Sequence, residues 1–430
     1  MKDPIVLRRD DTLSLSDVSY WKDLFYRLIK VGTEIEVAPP KGSTREEFEA
    51  KVIAAVEPSG TYDALGNKGV LDVSPEHCGV EIRVIGRQPH FKALQQQYLS
   101  ITNSLLELGS RARSTCGLHF HLLTPTLAEP VPEIILANLW NLVRRYSPEL
   151  RFITSGGETR NGLCRRRNHT SHTEMIRYSP IHMTMQQIQH ELRISKQVPE
   201  HQNFFNLQHI EFNDSGQILP FHLEFRFPDA DLSATSITAK TFLMMALTMK
   251  AIDLSQYGVI HVGKVNPWRR KVELLSLLSN NDGNLATSDT SGVTDVVIEE
   301  LRQGCHELLD LLAPTFEGFK DNPSLDVLEY LAETPISLLR CAGYDWYEIE
   351  RVLGSRARRD EYGIDDIDRK LMQRIELGEW AGWPSVFEWQ WNAARELVLT
   401  PQDLERRLDS IKKLRGLHWS ERQGTMVFDN

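Results

Sequence analysis

The stretch "CGLHFHL", residues 116–122, sets His119 and His121 two residues apart, with Leu118, Phe120 and Leu122 between and beside them. In a strand, alternate side chains share a face. Read as a strand, both imidazoles lie on one side and the apolar residues on the other. A solvated outer face explains one such strand as well as a chemical site does.

Three further stretches share the design. "VGTEIEV" (31–37) sets Gly32, Glu34 and Glu36 against Val31, Thr33, Ile35 and Val37. "CGVEIRV" (78–84) sets Gly79, Glu81 and Arg83 against Cys78, Val80, Ile82 and Val84. "FHLEFRF" (221–227) sets His222, Glu224 and Arg226 against Phe221, Leu223, Phe225 and Phe227. Helical spacing recurs between them. "PHFKALQQQYLSITNSLLELGSRAR" (89–113), "EIILANLWNLVRRYS" (133–147) and "SITAKTFLMMALTMKAI" (236–252) read as helices, and "DVSYWKDLFYRLIK" as an amphipathic one near the start. The expected fold is α+β, an antiparallel sheet whose apolar face packs on helices.

Surface strands favour Thr, Lys, Ser and Gln on their polar face. These four carry Glu34, Glu36, Glu81, Glu224, His119, His121, Arg83 and Arg226 instead, with no lysine. Four carboxylates brought onto one face raise one another's pKa or repel. A divalent cation removes that conflict, and oxygen-rich ligation with an imidazole suits Mg²⁺ or Mn²⁺ better than zinc. The arginines then match an anionic ligand such as a nucleoside triphosphate held through its metal. No GxxxxGK[ST], GxGxxG or GxSxG motif occurs, and "HELRI" from His190 lacks the second histidine of a zinc protease helix.

The chain has 430 residues, 41% hydrophobic and 25% charged, with a net charge of −10. That balance argues against nucleic-acid binding through the whole surface. "MKDPIVLRRDDTLS" has no apolar core of signal-peptide length, and "TFLMMALTM" (241–249) is too short to span a bilayer. The five cysteines Cys78, Cys116, Cys164, Cys305 and Cys341 form no CxxC pair, and read as reduced thiols of a cytoplasmic protein. After residue 262 the pattern turns helical: "KVELLSLLS", "VVIEELRQGCHELLDLLA", "SLDVLEYLAE" and "PQDLERRLDSIKKLRGL". The expected organisation is a catalytic domain over 1–262 and a mainly helical region over 263–430. Trp346, Trp380, Trp383, Trp389 and Trp391 of that region read first as helix-packing residues.

The order "GTEIE", then Asp72, Ser74 and Glu81, then "GLHFH", then Asn206 in "FFNLQ", then "LEFR" before a helix resembles the amidoligases. These are carboxylate–amine ligases of the glutamine synthetase-like superfamily, with glutamate–cysteine ligases as distant members. The resemblance covers about residues 31–255. It implies a curved antiparallel sheet backed by helices, and ATP-dependent amide formation through an acyl phosphate. It implies Glu34, Glu36, Glu81 and Glu224 as metal ligands, with His119 or His121 near a metal or the phosphates, and Arg226 neutralising the transferring phosphoryl group.

The full expected site follows. The metal set is Glu34, Glu36, Glu81, His119 and Glu224. The nucleotide set is His119, His121, Asn206, Arg166 and Arg226, with ATP and Mg²⁺ (or Mn²⁺) as cofactors. The catalytic set is Arg226, Glu81 and Arg83. The family often continues with Ser-Pro after the second glutamate strand, where this chain has Arg83 and Val84; that departure touches substrate contacts. Asp72 reads as a supporting or a turn residue, Asn206 as a ligand contact or a strand cap, and Cys116 as small packing. Residues 154–182 read as a long polar loop, in which Arg165, Arg166 and Arg167 form a lid or a solvated cluster beside His169 and His172. The expected partners are small-molecule or peptide carboxylates and amines, with no membrane; the arginine loop leaves nucleic acid open, though the charge disfavours it. Alternatives are a kinase of the same fold, a non-catalytic binding or assembly relative, and a metal-dependent hydrolase.

Overall fold

The computed structural model describes residues 5–8, 12–59, 69–87, 90–113, 115–124, 129–156, 179–180, 182–194, 205–219, 221–261, 291–319, 322–358, 365–377, 379–382, 384–415, 417–420 and 425–428. The chain divides into two compact units, Met1–Arg340 and Cys341–Asn430. The boundary expected at 262 falls at the edge of 262–290, outside the described residues.

The first unit is α+β. Its strands are β1 (Ile5–Arg8), β2 (Lys30–Val37), β3 (Val70–Glu76), β4 (Gly79–Arg87), β5 (Leu118–Thr124), β6 (Phe205–Asn206), β7 (Phe221–Phe225) and β8 (Val259–His261). Six of them form one sheet in the order β3-β4-β2-β5-β7-β6, every pair antiparallel. β1 and β8 pair separately. The four alternating stretches are thus neighbours, β4-β2-β5-β7. The sequence reading lacks β3 as a strand and the two-residue β6; "VLDVSPE" contains a proline, and two residues are too few to show alternation.

Helices Phe91–Glu107, Glu133–Arg145 and Ala234–Leu254 occupy the expected segments. Thr33 of β2 turns away from the glutamates and hydrogen-bonds Tyr98 of the first of these, 2.6 Å between hydroxyls, so that helix lies behind the sheet. Val31, Ile35, Ile82, Leu118, Phe120, Leu122, Leu223 and Phe225 are all buried with it. Helix Ala234–Leu254 is buried almost all round, because it packs against helices Phe91–Glu107, Glu133–Arg145 and Ser324–Glu333. Its Lys240 reaches Asp231 at 2.6 Å, both fully enclosed. No helix among the described residues is long and apolar enough to cross a membrane.

The second unit holds helices Trp346–Arg356, Asp366–Glu376, Val386–Leu397 and Pro401–Arg415 and a hairpin of β9 (Leu417–Ser420) with β10 (Thr425–Phe428). Among its buried apolar residues lies an ionic cluster. The Arg407 guanidinium bonds Asp365 at 2.8 Å, Asp403 at 3.1 Å and Asp368 at 2.6 Å. Trp346 and Trp389 are buried, as helix-packing residues are, and Trp391 is exposed.

Candidate metal and anion site

The register decides which residues of the polar face meet. On β2 and β4, Glu34 stands opposite Arg83, and Glu36 opposite Glu81. On β2 and β5, Glu34 stands opposite His119 and Gly32 opposite His121. On β5 and β7, His121 stands opposite Glu224, and on β6 Asn206 pairs with the same glutamate. Gly79 makes the β3–β4 end possible. A Cβ there would lie 2.2 Å from the Val37 carbonyl oxygen, so only glycine lets β4 begin so close to β2.

His119 is the centre. Its Nδ1 lies 3.0 Å from Glu34 Oε2 and 3.5 Å from Glu224 Oε1, and its Nε2 lies 3.5 Å from Glu36 Oε1. Two overlapping triads result, Glu34–His119–Glu224 and Glu36–His119–Glu81. Each offers ligand atoms within 4.8 Å of one another. Glu36, Glu81 and Glu224 are 5%, 6% and 2% exposed, so this is no solvated outer face.

Each carboxylate is also oriented by the protein. The Gly117 amide donates to Glu36 Oε2, and the Cys78 thiol lies 3.7 Å from the same oxygen. Asn206 Nδ2 donates to Glu224 Oε2 at 2.7 Å, and Arg226 Nη1 donates to Glu224 Oε1. Arg83 Nε donates to Glu81 Oε1 at 2.8 Å and lies 3.7 Å from Glu34; its Nη1 reaches Asp72 at 3.5 Å. Asp72 therefore sits on β3 as a partner of Arg83, not in a turn.

Electrostatics distinguish the acids. Burial pushes Glu81 up, the Glu34 charge adds to it, and Arg83 only partly offsets both, leaving Glu81 at about 7. Burial opposes ionisation of Glu34 too. There His119 and His121, with ring nitrogens 3.0 and 3.2 Å from its oxygens, outweigh it and hold the carboxyl well below its usual range. A carboxyl kept half-protonated at neutral pH among other carboxylates is what a deficit of positive charge produces. The donor set of oxygens with one shared imidazole fits a hard divalent cation such as Mg²⁺ or Mn²⁺.

The structure thus brings together Glu34, Glu36, Glu81, Glu224, His119, His121, Asn206, Arg83 and Arg226. Arg166 lies outside the described residues, as do Arg165, Arg167, His169 and His172. Cys78, Cys116 and Cys305 are in no disulfide. Two histidines have no place in the expected site. His222 Nε2 is 3.1 Å from His121 Nδ1, and the His209 ring stacks on His222 with centroids 4.5 Å apart. Burial, with His121 and His209 adding to it, lowers His222 to about 4. The alternation of "FHLEFRF" already places His222 on the polar face. Nothing in the sequence brings His209 to it.

No protein-family model matches the chain, and no curated protein matches it. Among solved structures, the chain is similar to the complex between the prokaryotic ubiquitin-like protein Pup and its ligase PafA. The TM-score is 0.34 and the identity 13%, over 94% of this chain and 79% of that one.

Proposed function

We propose that the protein is an ATP- and Mg²⁺-dependent carboxylate–amine ligase. The observation that supports this reading is the convergence of Glu34 and Glu36 of β2, Glu81 of β4 and Glu224 of β7 around the two ring nitrogens of His119 on β5. The two triads would hold divalent cations, and bound cations supply charge neutralisation for a phosphoryl group in transit.

The protein's own groups supply the rest. Arg226, which reaches the site from the end of β7, is placed to neutralise oxygens of the transferring phosphoryl group. Its Nε is shut from solvent and bonds no described acceptor, so a ligand oxygen would complete its coordination. His121 Nε2 lies on the Glu34 side of the site, 3.2 Å from Oε1. Arg83, on the Glu34–Glu81 side and half-exposed, is placed to bind a substrate carboxylate. Asn206 holds Glu224 in its ligand orientation. The carboxylate substrate takes the γ-phosphoryl group of ATP and releases ADP. The amine then attacks the acyl carbon of the acyl phosphate, releases phosphate and leaves an amide.

The test is ADP release from purified protein with Mg²⁺, scanned over paired carboxylates and amines. Release that needs both substrates, with a condensed product seen by mass spectrometry, supports a ligase. Phosphorylation of one substrate without condensation would make it a kinase instead. Amide cleavage without nucleotide would make it a hydrolase, and no ATP binding in the presence of Mg²⁺ removes all nucleotide-dependent readings.

A further inference from the structure

We propose that His222 is a positioning residue for His121: it donates Nε2–H to His121 Nδ1, so that the His121 proton sits on Nε2 and faces the anion-binding side of the site.

The argument starts from register. β5 and β7 pair so that His121 stands opposite Glu224 and Leu123 opposite His222. His222 therefore falls on the polar face, diagonal to His121, and the two rings meet at 3.1 Å through Nδ1 and Nε2. A neutral imidazole has one N–H and one lone pair. On its other side, His121 Nε2 lies 3.2 Å from Glu34 Oε1. A lone pair at Nε2 would face the lone pairs of that carboxylate, so the proton belongs on Nε2. Nδ1 then accepts, and the donor opposite it is His222 Nε2–H.

Two further observations fit this arrangement. The His209 ring lies flat on His222, its plane 14° from parallel, which fixes the rotation of the His222 imidazole. His121 Nε2 is closed to solvent and, despite its distance from Glu34, is out of line for a hydrogen bond to any described atom. A buried donor without an aligned acceptor is the kind of group an anionic ligand satisfies. His119 differs, because carboxylates flank both of its nitrogens. The two histidines of one strand thus take different tasks, and His222 makes the difference. The consequence for nucleotide rests on the ligase reading; the His222–His121 arrangement itself does not.

The experiment uses the full-length protein labelled with ¹⁵N-histidine and loaded with Mg²⁺, with ADP as the anionic probe. NMR should show His121 protonated on Nε2 in wild type and in His222→Gln, whose amide can donate. The preference should be lost in His222→Leu. ADP affinity should fall about tenfold in His222→Leu, the size of one lost oriented hydrogen bond, and recover in His222→Gln. Mn²⁺ affinity, read by electron paramagnetic resonance, should stay the same in all three. If His222→Leu does not fold by circular dichroism, His222→Asn replaces it, since its shorter amide stops short of His121. Wild-type His121 protonated on Nδ1, or Mn²⁺ affinity falling in step with ADP affinity, would overturn the proposal and make His121 a metal ligand. Should wild type bind no ADP at all, the nucleotide reading fails, and the NMR comparison still decides the His222–His121 pair.

Discussion

Glu36 and Glu81 stand directly opposite each other on paired antiparallel strands, and both are buried. Like charges so placed destabilise a sheet, so the pair requires a proton or a cation between its members. The same geometry carries the first prediction. Burial and the neighbouring carboxylates push Glu81 up to about 7 in the folded protein, against 4.5 for an exposed glutamate of the unfolded chain. Between those values the folded state keeps a proton that the unfolded state has lost. Without metal, this group's contribution to stability therefore falls as pH rises from about 4.5 to about 7, and is level above. A cation competes with that proton, so Mg²⁺ or Mn²⁺ affinity should rise with pH up to about 7 and then flatten. Calorimetric titrations across pH 5.5–8.5 check it. Glu81→Gln should weaken binding and remove the slope; an unchanged slope in the variant would mean another group titrates.

Glu34→Gln and Glu224→Gln each remove a carboxylate next to His119 that the proposed reading makes a cation ligand. Turnover should fall on the order of 100-fold or more, as for loss of a central electrostatic contact. The far-ultraviolet circular dichroism spectrum should stay as in wild type, because neither side chain packs in the apolar layer. Loss of fold in both variants would show that the face is structural first.

Gly79→Ala places a methyl carbon against the Val37 carbonyl oxygen, at 2.2 Å before relaxation. β4 must shift, and Glu81 moves with it. The expected outcome is a loss of about 1–3 kcal/mol in urea unfolding, in the range of locally strained backbone, together with weaker cation binding. Wild-type cation affinity in a destabilised variant would separate the turn from the site.

Lys240 and Asp231 form a fully buried ion pair, joined by the Ser236 hydroxyl at 2.6 Å from the same carboxylate. Lys240→Met leaves Asp231 charged and enclosed, and should cost about 3–5 kcal/mol. Combining it with Asp231→Asn should recover a good part of that loss. A double variant as unstable as the sum of both singles would mean that the two residues act separately.

The four alternating stretches show which side chains share a face, because a strand repeats every two residues whatever its neighbours. They do not show which strands are adjacent. That Glu36 meets Glu81, or that His121 meets His222, depends on pairings more than forty residues apart, which local pattern does not encode. β3 and β6 were illegible for a related reason: one carries Pro75, the other is two residues long. Asn206 is visible in "FFNLQ" as a polar residue beside aromatic ones. Its bond to Glu224 comes only from the β6–β7 pairing. His209, outside any strand, gives no periodic signal at all. The end of the last helix shows the same limit. The apolar spacing of "PQDLERRLDSIKKLRGL" runs on to Leu417, but the helix stops at Arg415 and Leu417 opens a strand paired with residues 425–428.

The order β4-β2-β5-β7 also ties the ligand set to folding. A slip of β2 by one residue would carry Glu34 and Glu36 to the helix side and bring Thr33 and Ile35 to face His119. No partly assembled sheet can offer the complete set, since its members span residues 34 to 224. A cation that binds only the finished arrangement stabilises the whole first unit by mass action. The melting temperature as a function of Mg²⁺ would thus report, in one curve, whether every strand has found its proper neighbour.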